Sequence, residues 1–180
     1  MTDKRKLRAA ARAARDMFVA RPHPPIRVDA RFVALLSPGL TVASYQPIGS
    51  EADPAPLEQA AVAAGCALAL PHVVDRATPL RFLRWTPGKP LTTGPFGLRQ
   101  PGSEETAIVP DIVLTPLVAF DRFLNRIGQG AGHYDRAFNA LPVARRIGVA
   151  WSVQMLDAIP ADPWDMPLEA IATEKEWITV

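Results

Sequence analysis

The chain has 180 residues, 48 % hydrophobic and 21 % charged, which excludes intrinsic disorder and favours one domain, expected to span residues 1–180. Its 19 prolines exclude an all-helical bundle, and its single cysteine excludes a disulfide framework and a cysteine-based zinc site. The net charge is only +2, but residues 1–31 hold nine basic and three acidic residues, whereas the other 149 hold 11 basic and 15 acidic ones.

Helical and extended segments alternate along the chain, and the first segment is helical. Residues 3–20 are rich in alanine, arginine and lysine, which predicts a helix that ends before the breaker PHPP. A second helix is predicted over residues 28–36 and a third over residues 55–64, where Gly65 ends it. A fourth helix is predicted over residues 132–140, after a polar, glycine-rich loop.

Short runs of apolar and β-branched residues predict the strands. They cover residues 41–45, 66–70, 80–85, 111–115, 146–151, 170–173 and 177–180. Residues 86–110 contain five prolines and are predicted to form a long connection that crosses an edge of the fold. Residues 111–115 (DIVLT) are almost continuously apolar, as expected for a strand covered on both faces. The alternation of strands and helices predicts an α/β layered domain with a largely parallel sheet.

The basic N-terminal segment could belong to several classes of protein, which the rest of the sequence helps to distinguish. The apolar stretches of the chain are far too short to span a bilayer, so we expect no membrane association. No apolar run follows the basic N-terminus, so we expect no secretory signal and a cytoplasmic protein, with an organellar transit peptide as the alternative. A nucleic-acid-binding module would explain the basic segment, but the net acidic remainder of the chain argues against such a partner.

The strongest chemical pattern lies in residues 110–138. A buried strand is followed by three glycines at alternate positions, and His133-Tyr134-Asp135-Arg136 then opens a helix. Alternate glycines let backbone N–H groups approach an anion, and the helix N-terminus adds its own unpaired N–H groups. The loop fits neither the Walker A nor the dinucleotide fingerprint. Glycines alone more often mark a turn, but the strand, loop and helix around them favour phosphate binding, with Arg126 and Arg136 as flanking clamps.

The same residues resemble a known family. The string PDIVLTPLVAFDR…NRIGQGAGHYDR is similar to the hallmark of the 5-formyltetrahydrofolate cyclo-ligase (methenyltetrahydrofolate synthetase) family. Further matches in the same order are the KRKLR start, YQPIGSEAD, ALALP, RWTPG, a segment ending in QP, and DPWDMPLEAIATE near the C-terminus. The resemblance therefore extends over nearly the whole chain.

The resemblance implies both a fold and a reaction. The implied fold is a three-layer α/β sandwich with a largely parallel central sheet, similar to ribose-5-phosphate isomerase and coenzyme A transferases. The implied reaction converts 5-formyltetrahydrofolate to 5,10-methenyltetrahydrofolate, with Mg²⁺ required and ATP, the co-substrate, hydrolysed to ADP and phosphate. In that chemistry the γ-phosphoryl group is transferred to the formyl oxygen, N10 then closes the ring, and phosphate departs.

The resemblance also assigns residues to the site. The ATP-binding residues are Lys4, Arg8, Gly128, Gln129, Gly130, Ala131, Gly132, His133 and Tyr134. The Mg²⁺ ligands are Asp135 and Asp165, the folate-binding residues are Gln46, Glu51 and Phe96, and the catalytic residues are Glu51, Tyr134 and Arg126.

The basic residues of the first helix fall into two pairs. Lys4 and Arg8 lie four residues apart, on one face of a helix, which suits a shared anion independently of the resemblance. For Arg12 and Arg15 we favour a solvated basic face without a functional role. The predicted phosphate-binding cations on this helix are therefore the first pair only.

Three of the assigned residues would also suit a purely structural role. Asp135 fits the positive end of a helix dipole, and Asp165 fits a turn in a proline-rich stretch. Phe96 is accounted for equally well by packing and by stacking on a folate ring. Two carboxylates are nevertheless sufficient for Mg²⁺, which takes its remaining ligands from phosphates and water.

The chain departs from the family pattern at a few positions. Gln129, Ala131 and Gln100 replace residues that are often charged in the family, which affects the expected substrate affinity more than the reaction type. A repurposed or non-catalytic relative that keeps nucleotide or phosphate binding is therefore the alternative function. The expected partners are 5-formyltetrahydrofolate and ATP, and we expect a monomer, with an oligomer as the alternative.

Overall fold

The first helix lies where its composition predicts it. The computed structural model describes residues 4–180, so the predicted helix start at Asp3 lies outside the described residues. Helix α1 covers Lys4–Val19 and buries Ala11 and Arg15 on one side while most of its basic side chains stay at the surface. The prediction of a basic, alanine-rich helix is confirmed for this range.

The second predicted helix is much shorter than expected. Helix α2 covers only Ala30–Val33, because Asp29 is extended (φ −83°, ψ 147°) and caps it by accepting from Arg31 N at 3.0 Å. After Val33 the backbone bonds tighten to the i→i+3 type, as in Leu36 N to Val33 O at 3.0 Å. The predicted range of residues 28–36 was therefore wrong at both ends.

The other predicted helices and strands are present in the predicted order, together with four short strands that were not predicted. Within residues 4–180, the other helices are α3 (Ala55–Ala63) and α4 (His133–Ala140). The strands are β1 (Thr41–Ala43), β2 (Ala67–His72), β3 (Arg81–Trp85), β4 (Thr92–Thr93), β5 (Arg99–Gln100), β6 (Ile112–Pro116), β7 (Ala119–Phe120), β8 (Arg126–Ile127), β9 (Arg145–Val149), β10 (Ala170–Ala172) and β11 (Trp177–Ile178). None of the described helices is long and apolar enough to cross a membrane.

The main sheet is parallel at its centre. In the described part of the chain its seven strands have the order β11-β10-β9-β6-β1-β2-β3. The strands β10, β9, β6, β1 and β2 are parallel, and the two edge strands pair in the antiparallel sense. This confirms the predicted largely parallel sheet. The chain leaves β1 toward β2 and later returns to β6 on the other side of β1, so these neighbours form a topological switch point.

Side chains that alternate along the strands bury both faces of the sheet. The cluster on one face includes Phe32, Val42, Leu57, Ala61, Leu68, Ile112, Leu114 and Ile147. The cluster on the other face includes Ala43, Ala69, Val113, Ala137, Phe138 and Ile171. The first cluster thus draws on α2 and α3 and the second on α4, which gives the predicted three-layer α/β arrangement.

Helix α1 packs at one end of the sheet. Leu7 and Ala11 join a cluster with Val118, Ala119 and Ile127, which lie in the chain that follows β6. The helix also contacts the single turn Ser152–Gln154, which follows β9. Since both partners come directly after parallel strands, α1 lies across the carboxyl ends of the sheet.

Two short hairpins were not predicted. The β4–β5 hairpin lies in the proline-rich connection of residues 86–110, which runs beside the edge strand β3 as expected, with Ala107 paired to Leu83. The buried side chain of Gln100 fastens this hairpin by exchanging hydrogen bonds of 3.0 and 3.1 Å with the backbone of Val73. The β7–β8 hairpin lies between β6 and the glycine loop and is held by Asp121, which accepts from Asn125 N at 3.0 Å.

Candidate functional site

The candidate site lies at the carboxyl ends of β1 and β6. Two loops meet there: residues 44–54 after β1, and residues 128–132 after the β7–β8 hairpin, which we call the glycine loop. Ligands in open α/β sheets bind at such switch points. The first loop is closed by the Tyr45 hydroxyl, which donates to Ala52 O at 2.5 Å. The burial of Tyr45 raises the pKa of its hydroxyl, so this donor keeps its proton.

Two positions of the glycine loop require glycine. Gly130 and Gly132 have φ values of +104° and +66°, a region that residues with a Cβ rarely adopt. Gly132 is also the N-cap of α4, where a Cβ would meet the Arg136 guanidinium at 3.2 Å. Arg136 in turn donates to Ala131 O at 3.0 Å. The loop therefore presents backbone at the N-terminus of α4, as the phosphate-binding hypothesis requires.

Helix α1 supplies basic side chains to the glycine loop and to the acidic segment that contains Asp162 and Asp165. Arg8 Nε donates to Gly128 O at 2.9 Å, so Arg8 lies directly beside the glycine loop. Lys4, one turn earlier, contacts Asp162 and Asp165, with its Nζ at 2.6 and 2.8 Å from their Oδ2 atoms. Burial acts to lower the Lys4 pKa, but these two carboxylates outweigh it and raise the pKa above its ordinary value.

Glu51 lies in the first loop and is 8 % exposed. Its Oε2 accepts from Ile48 N at 3.0 Å, and its Oε1 accepts from the side-chain amide of Gln129 at 2.9 Å. The predicted folate-binding carboxylate is therefore in direct contact with the predicted phosphate loop. The two residues are 78 positions apart in the chain and meet because β1 and β6 are neighbours.

Arg126 is a buried cation in the middle of the site. Its NH2 lies 2.5 Å from Asp135 Oδ1, and its guanidinium lies over the ring of Phe138, 5.3 Å from the centroid. Burial lowers the pKa of Arg126, while the charges of Asp135 and Asp165 act to raise it. Its buried Nε has no hydrogen-bond partner among residues 4–180. A buried donor without a partner is unfavourable, so the site is suited to an added acceptor.

The predicted Mg²⁺ ligands are Asp135 and Asp165, and the charges of both stabilise the Arg126 cation. Each already forms an ion pair, Asp135 with Arg126 and Asp165 with Lys4. Asp165 accepts from Asp162 N at 2.9 Å and pairs with Lys4, and these contacts lower its pKa although burial acts to raise it. Within the described range, no three His, Cys, Asp or Glu side chains form a group that would enclose a metal. Two carboxylates would be enough for Mg²⁺, which commonly takes one or two and completes its shell with phosphate and water.

Tyr134 and His133 open helix α4. The burial of the Tyr134 hydroxyl raises its pKa, with a further contribution from the nearby charge of Glu51, so Tyr134 is a neutral donor at the site. His133 Nδ1 lies 3.2 Å from Arg136 NH2. Burial lowers the pKa of His133, and the charges of Arg136 and Arg76 add to that effect. Both residues lie in the first turn of α4, directly after the glycine loop.

The two remaining predicted folate residues lie apart from each other. Gln46 is partly buried in the loop after β1, close in sequence to Glu51. Phe96 is 59 % exposed at the tip of the β4–β5 hairpin, where Arg76 lies 5.2 Å from its ring centroid. Arg136 donates to Arg76 O at 3.0 Å, so Phe96 adjoins the N-terminal side of α4. The structure does not bring Phe96 to the cavity beside Glu51.

That cavity has a volume of about 540 Å³, within the range of small-molecule sites. Its lining includes the acidic and polar residues Glu51, Asp53 and Gln59, and His23 and Trp151 contribute aromatic surface. The His23 and Trp151 rings are 4.5 Å apart, and Trp151 Nε1 donates to Ser50 O at 3.1 Å. His23 lies in the PHPP breaker, and no local sequence pattern marks it or Trp151 as a cavity residue.

Arg12 and Arg15 do not form the solvated face that was predicted. Arg15 is only 6 % exposed and its Nε donates to Ser50 Oγ at 2.9 Å. Arg12 is exposed, but it donates to the side-chain oxygen of Gln129 in the glycine loop. Both arginines lie on the side of α1 that faces the site, which the charge count of the helix does not reveal.

The buried position of Arg126 gives a prediction for stability. We expect Arg126→Ala to lower the free energy of unfolding by about 2 kcal/mol, because it leaves Asp135 unpaired and a cavity beside Phe138. The Asp135 side chain is 22 % exposed, so water can solvate the unpaired carboxylate and limits the loss of stability. Urea unfolding measures the change. Arg145→Ala removes an exposed pair with Glu169 and is the control, with an expected change below about 0.5 kcal/mol. Equal losses in the two variants would contradict a buried role for Arg126.

Known proteins resemble this chain over most of its length. The sequence model of the 5-formyltetrahydrofolate cyclo-ligase family matches residues 2–174. The chain is 36 % identical over 149 residues to the 5-formyltetrahydrofolate cyclo-ligase of Mycolicibacterium smegmatis, covering 78 % of this chain and 76 % of that protein. It is 32 % identical over 145 residues to the enzyme of the same name from Escherichia coli K12, covering 76 % of this chain and 80 % of the other.

Solved structures show the same relationship. The NMR structure of Aquifex aeolicus 5,10-methenyltetrahydrofolate synthetase superposes with a TM-score of 0.72 and 27 % identity, covering 98 % of this chain and 92 % of that one. The 5,10-methenyltetrahydrofolate synthetase of Mycoplasma pneumoniae has a TM-score of 0.67 and 25 % identity, covering 94 % and 98 %. The likeness thus extends over the whole three-layer fold and is not confined to the glycine loop.

Proposed function

Because the chain belongs to the 5-formyltetrahydrofolate cyclo-ligase family, we propose that it converts 5-formyltetrahydrofolate to 5,10-methenyltetrahydrofolate, with ATP hydrolysed to ADP and phosphate. The observation that carries this proposal is the 2.9 Å hydrogen bond from Gln129 to Glu51. It joins a loop suited to phosphate with a carboxylate beside a cavity of substrate size. A reaction between a nucleotide phosphate and a second substrate needs this proximity.

The reaction needs a better leaving group than a formamide oxygen. The formyl oxygen attacks the γ-phosphorus of ATP, so that an O–P bond forms, the bond to ADP breaks, and the formyl carbon becomes electrophilic. N10 then forms its bond to that carbon and loses its proton, and the C–O bond breaks as phosphate leaves. The protein contributes positioning and charge stabilisation to both steps and forms no covalent intermediate.

Glu51 is suited to the ring-closing step. A carboxylate can accept about four hydrogen bonds, and from residues 4–180 Glu51 accepts two, from Ile48 N and from Gln129. We assign one of its remaining lone pairs to the N10–H group, which orients the amine and receives the departing proton. Tyr134, neutral and close to both Glu51 and Arg126, donates to the reacting oxygen in this arrangement.

The phosphates of ATP are assigned to the glycine loop, the N-terminus of α4 and the cations around them. Arg8 already lies beside Gly128, and Arg126 has a buried N–H group without a partner in the described chain. Asp135 and Asp165 would hold Mg²⁺, which neutralises phosphate charge and orients the γ-phosphoryl group. Lys4 and Arg126 neutralise these carboxylates in the structure. When ATP binds, Lys4 and Arg126 would pair with phosphate oxygens in place of these carboxylates. Asp135 and Asp165 would then be available as Mg²⁺ ligands.

This exchange predicts a specific role for Lys4. We expect Lys4→Ala to raise the KM for ATP about tenfold, because a charge-assisted bond to phosphate is lost while the glycine loop remains. Steady-state kinetics at saturating folate measures the effect. Lys6 on the same helix is exposed, and Lys6→Ala is the matched control, with no expected change. An unchanged KM in Lys4→Ala would leave Lys4 with its ion pairs to Asp162 and Asp165 and no role in binding ATP.

The proposed activity has a direct assay. Purified protein is mixed with 5-formyltetrahydrofolate and MgATP, and the absorbance of the conjugated methenyl product is followed. We expect product only when ATP and Mg²⁺ are both present. Folded protein that binds ATP but forms no product would overturn the proposal in favour of a repurposed relative of the same fold.

A further inference from the structure

The second half of α1 is connected to Glu51 by side chains that the proposed mechanism does not use. Arg12 and Arg15 are three residues apart and therefore lie on one face of the helix. Arg12 donates to the oxygen of the Gln129 amide, whose nitrogen donates to Glu51 Oε1. Arg15 Nε donates to Ser50, the residue that precedes Glu51. Each arginine thus reaches the Glu51 segment through one intermediate residue.

Arg12 determines which way the Gln129 amide points. A guanidinium has donors and no acceptor, so the amide oxygen must face Arg12. The amide NH2 group then faces Glu51, which as a carboxylate accepts hydrogen bonds. Without Arg12 only the hydrogen bond to Glu51 holds the amide in this orientation, so half-turn rotations that bring the amide oxygen toward the repelling carboxylate become more frequent. Arg12 is exposed, so the fold does not depend on its burial.

Arg15 fixes the backbone next to Glu51. Ser50 Oγ accepts from Arg15 Nε at 2.9 Å and donates to Asp16, and Ser50 O accepts from Trp151 Nε1 at 3.1 Å. Three contacts on one small residue leave the segment little freedom. Arg15 NH1 is buried and finds no hydrogen-bond partner within residues 4–180. A buried guanidinium that is incompletely paired is a poor choice for stability alone, which favours a role in placing Ser50 and Glu51.

We propose that Arg12 and Arg15 are positioning residues that fix the Glu51 carboxylate for ring closure, Arg12 through Gln129 and Arg15 through Ser50. This inference rests on the proposed function, since it extends the same site. It assigns a role to the two arginines of α1 that were expected to be solvated. It also gives Gln129 a task different from that of the backbone N–H groups in the glycine loop.

The Arg12 branch is tested by a double-mutant cycle. We expect Arg12→Ala to lower kcat/KM for 5-formyltetrahydrofolate about tenfold and to change the KM for ATP less than about twofold, with the melting temperature unchanged. Gln129→Ala keeps the loop backbone and should have a similar effect. Because Arg12 acts through Gln129, the double variant should be no slower than Gln129→Ala alone. Lys6→Ala on the same helix is the control and should match the unaltered protein.

The Arg15 branch uses variants that preserve the fold. Arg15→Lys keeps the charge and the aliphatic stem but loses the guanidinium that reaches Ser50, and Ser50→Ala removes the acceptor. We expect each to lower kcat while the KM for ATP stays constant, and Arg15→Lys to add nothing in the Ser50→Ala background. The melting temperature of each variant accompanies the kinetics, since a purely structural role would lower it in proportion to the lost activity.

Two results would overturn the inference. Additive losses in either cycle would show that the arginines do not act through Gln129 and Ser50. A rise in the KM for ATP without a fall in kcat would assign Arg12 and Arg15 to nucleotide binding. The unaltered protein in the same assay separates this inference from the proposed function: its failure to form product would overturn the function, whereas normal turnover with additive losses overturns only the positioning role.

Discussion

Replacing Glu51 by glutamine will lower kcat/KM for 5-formyltetrahydrofolate by about 100-fold or more, the usual range for losing a positioned proton acceptor. Glutamine has nearly the same shape, so the cavity wall next to Pro47 and Trp151 is retained. What changes is the chemistry, because an amide cannot take the N10 proton at neutral pH. In the unaltered protein the Gln129 amide nitrogen donates to Glu51 Oε1. In the variant the NH2 group of the new glutamine can face that donor, and two donors repel each other.

Folding and specificity controls accompany this variant. The melting temperature and the KM for ATP should both stay close to those of the unaltered protein, because the backbone of the glycine loop and the cations beside it, Arg8 and Arg126, are unchanged. Glu104 is exposed, and Glu104→Gln is the control for loss of one carboxylate, with no expected change in rate. A Glu51→Gln protein that retains more than about a tenth of the activity would show that Glu51 is no proton acceptor.

Asp135→Asn is the second change for which we expect a large effect. Asparagine still accepts a hydrogen bond from Arg126, now 2.5 Å away, so the buried guanidinium keeps a partner. The lost negative charge removes one of two proposed Mg²⁺ ligands, and we expect the Mg²⁺ concentration for half-maximal rate to rise by about 100-fold. The rate at limiting Mg²⁺ falls by the same factor.

Metal binding provides a readout for this variant that does not depend on turnover. Mn²⁺ binding in the presence of a non-hydrolysable ATP analogue, followed by electron paramagnetic resonance, should weaken in Asp135→Asn. Asp157 is exposed, and Asp157→Asn should bind Mn²⁺ as the unaltered protein does. Unchanged Mn²⁺ affinity in Asp135→Asn would assign Asp135 to the helix dipole and to Arg126, and would refute its role as a ligand.

Local patterns predicted most of the secondary structure. The alanine- and arginine-rich run became α1 because helix propensity acts residue by residue, and apolar runs such as DIVLT became parallel strands buried on both faces. Boundaries were less certain, as the four-residue α2 shows, since the cap at Asp29 decided where it began. The β4–β5 and β7–β8 hairpins have strands of two residues, too short to produce a periodic pattern.

The residues of the site were easier to predict from the sequence than the contacts between them. The glycine loop and the start of α4 are contiguous in sequence, so one motif contained them. The pairing of Lys4 with Asp162 and Asp165 joins residues about 160 positions apart and depends on how α1 crosses the sheet. The burial of Arg15 depends on the same crossing. A charge count of the helix contains no information about that crossing, so it wrongly predicted that Arg15 is solvated.

The oxygen that leaves with phosphate tests the proposed chemistry most directly. If the formyl oxygen attacks the γ-phosphorus, substrate that carries ¹⁸O in its formyl group must transfer that oxygen to inorganic phosphate. The isotope shift of the phosphate signal in ³¹P NMR reports the transfer, and Glu51→Gln should slow it in step with product formation. We predict one ¹⁸O atom in each phosphate released. Appearance of the label in water, with unlabelled phosphate, would contradict phosphorylation of the formyl oxygen and with it the role assigned to this site.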